Sequence, residues 1–364
     1  MRLPIREGKA HLIDEDKAQA MVDYAIRNGV NYFDTAYIYH AAVPFQAGMS
    51  EVFLGRSLKK QRQKVQVATK LPSWFIESRA DMDGYLDQQL QRLQTDHIDF
   101  YLVHGLTGEL WRKMTDLGVT KFLDAALADG RIKHSGFSFH DEAPLFKPIV
   151  DAYDWSFCQI QYNFMDEDFQ AGRAGLKYAA SKGLGVVVME PLRGGGLTAR
   201  IPEEVQAVWD ESQVKRRPVE WALRFVWDQT EVSVVLSGMT EPWQLEENIK
   251  IADEGLANSL TGAELALIQK AKAIYQARTR VNCTSCGYCM PCPSEVNIPA
   301  NFLQLNNLAI YRDRDTAEFF YFHLLKPEQR ASHCEQCGQC EEACPQHIPI
   351  PAMLKEVVRE FEHG

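Results

Sequence analysis

The chain has 364 residues, of which 46% are hydrophobic and 24% are charged, and it is long enough for two domains or for one large domain with an appendage. Its net charge of −10 and the lack of a basic run argue against nucleic-acid binding. No apolar run reaches the ~18 residues of a membrane span, and the charged first residues contain no signal-peptide core. We therefore expect a cytoplasmic protein that does not bind membranes.

Short apolar runs alternate with amphipathic stretches over most of the chain. Residues 15–29, 79–94 and 218–229 have helical periodicity. The predicted strands are residues 30–34, 65–70, 98–104, 132–138, 156–161, 184–190 and 232–238. This alternation predicts parallel strands joined by helical crossovers. Eight such strands close a (β/α)8 barrel. The alternative, an open doubly wound sheet, normally has a G-x-G-x-x-G turn after its first strand, and the sequence has none.

The first strand of such a barrel has no counterpart in the sequence. Before the first helical region, only the segment MRLPI (1–5) is available for this strand. It is too short for a strand and the turn that follows. A seven-stranded remnant leaves two edges unpaired. We therefore expect either a start codon upstream of Met1 or a weakened, aggregation-prone barrel with a truncated first strand.

Four of the predicted strands end in an ionisable residue. The runs VNYF, VQVAT, IDFYLV and LGVVVM are followed by Asp34, Lys70, His104 and Glu190, and Tyr39 lies on the loop after Asp34. The carboxyl ends of barrel strands form the active-site face, so Asp34, Lys70 and His104 are expected in one mouth. Each of these residues alone is more often a cap, a solvated side chain or a core residue. Their joint placement indicates a catalytic site.

These residue types fit the transfer of a proton to a carbonyl group. Isolated Tyr and Lys side chains both titrate at about pH 10. A buried ammonium beside a phenol stabilises the phenolate and lowers the pKa of the phenol. Asp34 is expected to hold Lys70 and balance its charge, and His104 to orient the carbonyl oxygen or share the proton. The set is interpreted as a proton donor for a carbonyl that receives hydride.

Five motifs in order make the sequence resemble the aldo-keto reductases. They are FDTAYIY (33–39), VATKLP (67–72), DFYLVHG (99–105), CQIQYN (158–163) and VLSGMTEPWQLEEN (235–248). The resemblance extends from residue 1 to about residue 277. It implies an α/β fold of the (β/α)8 TIM-barrel type and NAD(P)H-dependent reduction of a carbonyl. It also implies that Asp34, Tyr39, Lys70 and His104 are the catalytic tetrad, with Tyr39 as the general acid.

The same resemblance implies a set of cofactor-binding residues. Ser138 and Gln159 are expected to hold the nicotinamide carboxamide, and the PLRGGG segment to wrap the pyrophosphate. A glycine-rich loop after a strand also suits close approach to phosphate in its own right. Met189 lies where many members stack an aromatic ring, and Glu247 and Asn248 match adenine contacts. The full set is Ser138, Gln159, Met189, Pro191, Leu192, Arg193, Gly194, Gly195, Ser237, Gly238, Gln244, Glu247 and Asn248.

The sequence departs from the family pattern at two cofactor positions. The Ser-Asn pair of the family after the fifth strand is here Ser138-Phe139, which changes one carboxamide contact. The basic residues that clamp the 2′-phosphate in NADPH-specific members are replaced by Gly238, Met239 and Gln244. We therefore expect NADH to be used at least as well as NADPH.

Eight of the nine cysteines lie between residues 283 and 344. They form a C-x2-C-x2-C-x2-C-P run and a C-x2-C-x2-C-x3-C-P run, which comprise Cys283, Cys286, Cys289 and Cys292, and then Cys334, Cys337, Cys340 and Cys344. This spacing is typical of iron–sulfur ligation. Zinc is the alternative, but it usually takes two close cysteines from each of two loops. Cys158, the ninth, lies in a predicted strand and is interpreted as an inert core thiol.

The cysteine-rich tail resembles the helical two-cluster ferredoxin domains, because the residues between its two runs have helical periodicity. The whole chain thus resembles the iron–sulfur-fused branch of the aldo-keto reductases. We expect a reductase barrel over residues 1–277 and a helical ferredoxin-like domain with two 4Fe–4S clusters over residues 278–364. Ligation is expected to be crossed, with Cys344 closing the first cluster and Cys292 the second.

Three functions remain open for the two parts together. A hydride carries two electrons and a cluster passes one, and the sequence has no flavin motif to link them. In the first possible function, the barrel reduces a small-molecule carbonyl compound, and the clusters have a structural or redox-sensing role. In the second, the clusters also exchange electrons with a redox protein partner. In the third, the protein is an electron carrier whose barrel is a degenerate binding scaffold.

Overall fold

The computed structural model describes residues 1–43, 46–198, 201–283, 289–344 and 346–362. The chain forms two compact units. The first comprises Met1–Leu192 with Glu220–Leu260, and the second comprises Arg193–Val219 with Thr261–Gly364. One segment of the second unit, Arg193–Val219, therefore precedes residue 277 in the chain. The division into two domains at residue 277 stays a prediction.

Seven parallel strands form the sheet of the first unit, and they are paired in the order of the chain. They are β1 (Tyr32–Asp34), β2 (Gln66–Leu71), β3 (Ile98–Leu106), β4 (Ile132–Phe139), β5 (Phe157–Gln161), β6 (Gly185–Met189) and β7 (Val232–Val235). All seven coincide with predicted strands. The strands curl into a half-barrel covered by helices, which confirms the predicted TIM-barrel class with seven strands among the described residues.

Helices alternate with these strands and continue through the second unit. In chain order they are α1 (Glu15–Arg27), α2 (Ser50–Leu58), α3 (Arg79–Leu93), α4 (Gly108–Asp116), α5 (Val119–Ala128), α6 (Ala143–Asp151), α7 (Gly172–Ser181), α8 (Glu203–Asp210), α9 (Pro218–Trp227), α10 (Pro242–Glu254), α11 (Gly262–Ala277), α12 (Ile298–Tyr311), α13 (Arg314–Leu324), α14 (Gln339–Ala343) and α15 (Ile350–Phe361). Among the described residues, none of the helices has both the length and the apolar character needed to cross a bilayer.

Local sequence accounts for the start of these helices and for the faces that they bury. The Asp14 side chain accepts a hydrogen bond from the backbone N–H of Lys17 at the start of α1, and Ser78 and Asp81 form a capping box at the start of α3. The buried face of α1 has the i, i+3, i+4, i+7 spacing of an amphipathic helix and consists of Ala18, Met21, Val22 and Ala25.

The inward-facing side chains of the sheet form a small apolar cluster. Its buried members are Ala68, Leu102, Phe157 and Val187. Side chains at every second position of a strand point to the same face. Lys70 is two residues beyond Ala68 and therefore points toward the same interior, nearer to the carboxyl end of β2.

The second unit has an apolar core of its own, built mainly from α12, α13 and α15. Buried members include Phe302, Leu305, Tyr321, Leu354 and Phe361. The rings of Tyr321 and Phe361 stack with their centroids 4.5 Å apart. This arrangement confirms that the cysteine-rich tail is mainly helical.

Candidate active site and cysteine-lined cavity

A buried ion pair joins the carboxyl ends of the first two strands. The Lys70 ammonium donates hydrogen bonds to both carboxylate oxygens of Asp34, at 2.8 and 2.7 Å, and to the backbone carbonyl of Thr35, at 2.8 Å. The Lys70 side chain is 0% exposed and that of Asp34 is 10% exposed. A buried ammonium needs such partners because desolvation alone disfavours its charged form.

Tyr39 and His104 lie against this ion pair. The Lys70 ammonium is 5.0 Å from the centroid of the Tyr39 ring. The rings of Tyr39 and His104 meet edge to face with centroids 6.2 Å apart, and the centroid of the Trp74 ring is 4.8 Å from that of His104. The structure therefore brings the four predicted tetrad residues together at one end of the sheet.

Burial determines the protonation of Tyr39 and His104. Desolvation raises the pKa of Tyr39 above its ordinary value, and the neighbouring Lys70 only partly opposes this rise. The net direction differs from the lowering that the sequence suggested, because desolvation outweighs the ammonium. Burial, followed by the charge of Lys70, holds the pKa of His104 well below its ordinary value. Both side chains are therefore neutral near pH 7.

Lys70 stays charged in the same environment. Burial alone lowers its pKa, but the Asp34 carboxylate and then Tyr39 raise it, and the net pKa lies above the ordinary value for lysine. The site therefore combines a neutral phenol, a neutral imidazole and a fixed ammonium. Such a set can give a proton and stabilise negative charge that develops on an oxygen atom.

A β-bulge near the end of β3 sets the position of His104. The pairing with β4 shifts register between Val103 and Leu106, which leaves one extra residue in β3. Gly105 within the bulge has φ +64°, and a Cβ atom there would lie 2.8 Å from the Trp74 ring. A glycine is therefore needed at this position both for the backbone and for the close approach of Trp74.

The predicted nicotinamide contacts Ser138, Gln159 and Met189 lie on β4, β5 and β6. Ser138 and Gln159 are register partners on neighbouring strands. The Ser138 hydroxyl accepts a hydrogen bond of 2.7 Å from the backbone N–H of Gly105, and the Gln159 amide donates to the Met189 sulfur at 3.4 Å. The Gln159 Oε1 atom is buried and has no hydrogen-bond partner within the described part of the chain, nor has Nδ1 of His104.

The predicted residues after β7 are tied together by local hydrogen bonds. The Asn248 side chain donates to the Ser237 hydroxyl at 2.9 Å, and Gln244 Oε1 accepts from the backbone N–H groups of Thr240 and Glu241 at the start of α10. The Arg2 side chain lies beside Gly238, where an added Cβ atom would be 3.4 Å from Arg2 Nε. Glu247 belongs to the same helix.

The predicted pyrophosphate segment crosses the boundary between the two units. Pro191 and Leu192 follow β6 and belong to the first unit, whereas Arg193–Gly195 belong to the second. Arg193, Gly194 and Gly195 all have positive φ, which fits the glycine content of the segment. Within the second unit, the Arg193 guanidinium donates to the Tyr311 hydroxyl and lies 5.4 Å from the centroid of that ring.

A cavity of about 200 Å³ in the second unit is lined by cysteines from both runs. The cysteines that line it are Cys289, Cys292, Cys334, Cys337 and Cys340. Burial raises the pKa of the Cys340 thiol, and the nearby Cys334, Cys292 and Cys337 raise it further. No three Cys, His, Asp or Glu side chains of the described residues already surround one metal position.

The remaining tail cysteines differ in their surroundings. Cys344 is buried in the apolar core of the second unit, and the partly buried Cys283 packs against that core. Cys286 lies outside the described residues. Cys158 is fully buried in β5, and burial raises the pKa of its thiol, as fits a core residue.

Comparisons with known proteins agree with this geometry. The sequence profile described as "Aldo/keto reductase family" matches residues 6–271, and that of the "4Fe-4S dicluster domain" matches residues 282–348. The chain belongs to the aldo/keto reductase family. It carries a 4Fe–4S dicluster domain at its carboxyl end, which confirms the branch that the sequence resembles.

Individual family members are distant in sequence. The uncharacterized oxidoreductase YrpG of Bacillus subtilis (strain 168) is 29% identical over 204 residues, covering 50% of this chain and 59% of YrpG. Protein tas of Escherichia coli (strain K12) is 28% identical over 317 residues, covering 72% of this chain and 90% of tas. The holo form of aldo-keto reductase AKR11C1 from Bacillus halodurans has a TM-score of 0.57 and 27% identity, covering 71% of this chain and 87% of its own.

Three further residues of this aldo/keto reductase, which the sequence analysis did not single out, lie near the predicted site residues. Arg2 lies beside Gly238, and the Asn163 side chain donates to the backbone carbonyl of Glu190 at 3.0 Å, where Glu190 has φ +55°. The Glu51 carboxylate is buried and accepts a hydrogen bond from the Thr69 hydroxyl on β2. Of these residues, only Glu51 has a signal in the sequence, because it is an acid in the first turn of α2. An acid at that position usually serves to stabilise the start of a helix.

Proposed function

We propose that this protein reduces an aldehyde or ketone at the expense of a reduced nicotinamide cofactor. The observation that carries the proposal is the contact of one buried ammonium, that of Lys70, with the Asp34 carboxylate and the Tyr39 ring. A structural role alone does not require a lysine, a tyrosine and a histidine to be buried together at the mouth of the sheet, because burying charge opposes stability.

In this proposal Tyr39 gives the proton. Its raised pKa keeps the phenol protonated at neutral pH, and the Lys70 ammonium stabilises the phenolate that forms when the proton leaves. The neutral His104 ring orients the carbonyl oxygen by a hydrogen bond, because its pKa is held low by burial. Asp34 fixes Lys70 and balances its charge.

The predicted residues on β4, β5 and β6 fit a nicotinamide. The Gln159 Oε1 atom is a buried acceptor without a hydrogen-bond partner in the described chain, and a carboxamide N–H would satisfy it. Reduced nicotinamide supplies the hydride when it is bound. We propose that Ser138 and Gln159 hold the carboxamide, Met189 contacts the ring, and the other predicted residues hold the phosphates and adenosine.

The substrate of this reaction is proposed to be a partly apolar carbonyl compound. The Trp74 ring packs against that of His104, so an aromatic side chain borders the tetrad, and Phe75 is the next residue in the chain. The position of the loop at residues 40–51 in the sequence, just after Tyr39, suggests that it also borders the pocket, and its Pro44 and Phe45 lie outside the described residues. Apolar walls with a few polar groups are typical of small-molecule sites.

We further propose that the eight tail cysteines hold two 4Fe–4S clusters. Five of them (Cys289 and Cys292 with Cys334, Cys337 and Cys340) line the same cavity, and thiolates are the usual ligands of such clusters. The clusters are proposed to have a structural or sensing role, or to exchange single electrons with a redox protein partner. A reducing compartment such as the cytoplasm suits both the clusters and free Cys158.

The proposal is tested by an anaerobic screen of aldehydes and ketones against NADH and NADPH. Steady oxidation of either cofactor that requires a carbonyl compound, and that is lost in Tyr39→Phe, is the expected result. Reduction of the clusters by a reduced ferredoxin, with no carbonyl-dependent oxidation, would instead assign the protein as an electron carrier.

A further inference from the structure

A buried polar cluster lies between β2 and the helices α2 and α3, behind the tetrad. Its centre is Glu51, which is 0% exposed. The Glu51 carboxylate accepts hydrogen bonds from the Thr69 hydroxyl at 2.6 Å, the Gln89 amide at 2.7 Å and Arg92 Nε at 2.8 Å. A buried carboxylate is costly to stability unless it is paired in this way.

One side of this cluster holds the backbone of β2 at Lys70. Thr69, which donates to Glu51, directly precedes Lys70. The Gln89 amide donates both to Glu51 and to the backbone carbonyl of Lys70, the latter at 3.0 Å. The Gln89 carbonyl in turn accepts from the Tyr101 hydroxyl at 2.8 Å on β3. The Glu51 carboxylate is therefore linked to the Lys70 backbone through the Gln89 amide.

The other side of the cluster holds the backbone of Tyr39. Arg92, paired with Glu51, donates to the backbone carbonyl of Gly48. Gly48 packs so tightly on Tyr39 that an added Cβ atom would lie 1.9 Å from the Tyr39 carbonyl oxygen. Ser50, next to Glu51, donates its backbone N–H to that same oxygen at 3.2 Å.

We propose that Glu51 is a positioning residue that fixes the distance between the Tyr39 hydroxyl and the Lys70 ammonium. The inference rests on the proposed reductase function for its effect on rate. One carboxylate oxygen accepts from Thr69 and Gln89 on the Lys70 side, and the other accepts from Arg92 on the Tyr39 side. Because both catalytic residues are held through one group, loss of that group moves them relative to each other.

The Glu51→Gln variant tests this inference with almost no change in shape. A carboxylate offers only acceptors, whereas an amide replaces one acceptor with an N–H donor. The Gln89 amide nitrogen and the Arg92 guanidinium can only donate, and they bind different oxygens of Glu51, so in either orientation of the new amide one of them faces another donor and separates. We expect kcat to fall about tenfold to a hundredfold, as for displacements of reacting groups by about 1 Å, while the nicotinamide Kd stays unchanged.

Asp99→Asn provides the matched control. Asp99 is also buried, and it accepts hydrogen bonds from the backbone N–H of Val67 on β2 and from Lys133, with Arg62 at 2.7 Å. Asp99 lies on β3, beside the start of β2, whereas Lys70 lies near the carboxyl end of β2. The two variants are expected to lose similar thermal stability, but Asp99→Asn should keep the kcat and the pH profile of the natural chain.

Amide hydrogen exchange gives a measurement that does not depend on activity. In Glu51→Gln, exchange should rise both at residues 46–52 and at residues 67–71, whereas Asp99→Asn should leave residues 46–52 unchanged. Equal losses of kcat in the two variants, or exchange that is unchanged at residues 46–52 in Glu51→Gln, would overturn the positioning role. If the natural chain reduces no carbonyl compound, the proposed function fails, and the exchange result alone then decides whether Glu51 holds both segments.

Discussion

Asp34 and Lys70 are 36 positions apart in the chain, yet the Lys70 ammonium lies within 2.8 Å of both Asp34 carboxylate oxygens. The register of the sheet accounts for this contact. Asp34 pairs with Ala68, and Lys70 is two residues further along β2 on the same interior face. Parallel pairing therefore converts two strand ends, each unremarkable in sequence, into one buried ion pair.

The replacement Tyr39→Phe tests the proton donor. It removes one hydroxyl and leaves the ring to pack against Lys70 and His104. Positioned acid catalysis is worth about 10²–10⁴-fold in rate, so kcat for carbonyl reduction should fall by at least the lower figure. The nicotinamide Kd, measured by fluorescence titration, should be unchanged.

Tyr37→Phe is a suitable control for that experiment. Tyr37 is in the same motif and packs edge to face on Tyr85 at 5.1 Å, but it has no contact with Lys70 in the described structure. It should retain its turnover. If Tyr39→Phe instead lost thermal stability and kept its turnover, the four residues would only stabilise the barrel mouth.

Lys70→Met is expected to lose activity together with stability. It removes the ammonium that stabilises the phenolate and leaves the Asp34 carboxylate buried without its partner. Breaking one partner of a buried ion pair costs roughly 3–5 kcal/mol of unfolding free energy. The double variant Asp34→Leu/Lys70→Met should regain much of that stability by denaturant unfolding and none of the turnover. A double variant with restored turnover would show that the charge pair does not take part in the reaction.

The pH dependence of kcat follows from the two shifted pKa values. Reduction needs Tyr39 protonated, and its pKa is raised by burial, so the alkaline loss should begin only above about pH 10, the ordinary value for tyrosine. It also needs His104 neutral, and its pKa is lowered by burial, so no acidic loss should occur near pH 6.5, the ordinary value for histidine. Initial rates at saturating substrate should therefore be flat between these limits. An acidic limb centred at the ordinary histidine value would contradict a neutral, buried His104.

The strands and the tetrad could be predicted from the sequence because both depend on local patterns. β2 begins at Gln66, one residue from its predicted start, and the rule that strand ends share one face was enough to bring Asp34, Lys70 and His104 together. Glu51 could not be recognised, because an acid in the first turn of a helix is usually solvated. Its burial depends on Gln89 and on other residues far along the chain. The net rise in the pKa of Tyr39 was also missed, because the sequence shows the ammonium but not the extent of desolvation.

Coenzyme preference provides a test of the adenosine end of the site. We predict that NADH is used at least as well as NADPH, because Gly238, Met239 and Gln244 offer no cation to a 2′-phosphate. The sequence offers Arg193 as the nearby cation for a 2′-phosphate, and the structure adds Arg2, which lies beside Gly238. We expect any NADPH use to depend on Arg2. Since a charge-assisted hydrogen bond is worth about 1.5–3 kcal/mol, Arg2→Ala should lower kcat/KM for NADPH by at least tenfold and leave that for NADH nearly unchanged.

Arg193→Ala is the comparison for Arg2→Ala. The Arg193 guanidinium donates to the Tyr311 hydroxyl within the second unit, and its loss should change NADH and NADPH kinetics to similar extents. A strong NADPH preference that survives both replacements would show that the 2′-phosphate is recognised elsewhere.

The crossed arrangement of the cluster ligands leads to the last prediction. Anaerobically purified protein should be brown and contain about eight iron atoms and eight sulfides, the content of two 4Fe–4S clusters. Cys289 and Cys292 line the cavity with Cys334, Cys337 and Cys340, and the crossed scheme takes Cys292 as the fourth ligand of the second run, so Cys292→Ala should damage the cluster held by that run. The cluster held by the first run should keep its electron paramagnetic resonance signal, and Cys158→Ala, which changes only a core thiol, should keep both. Stoichiometric zinc would rule out the clusters, and loss confined to the cluster of the first run would show that each run supplies all four of its own ligands.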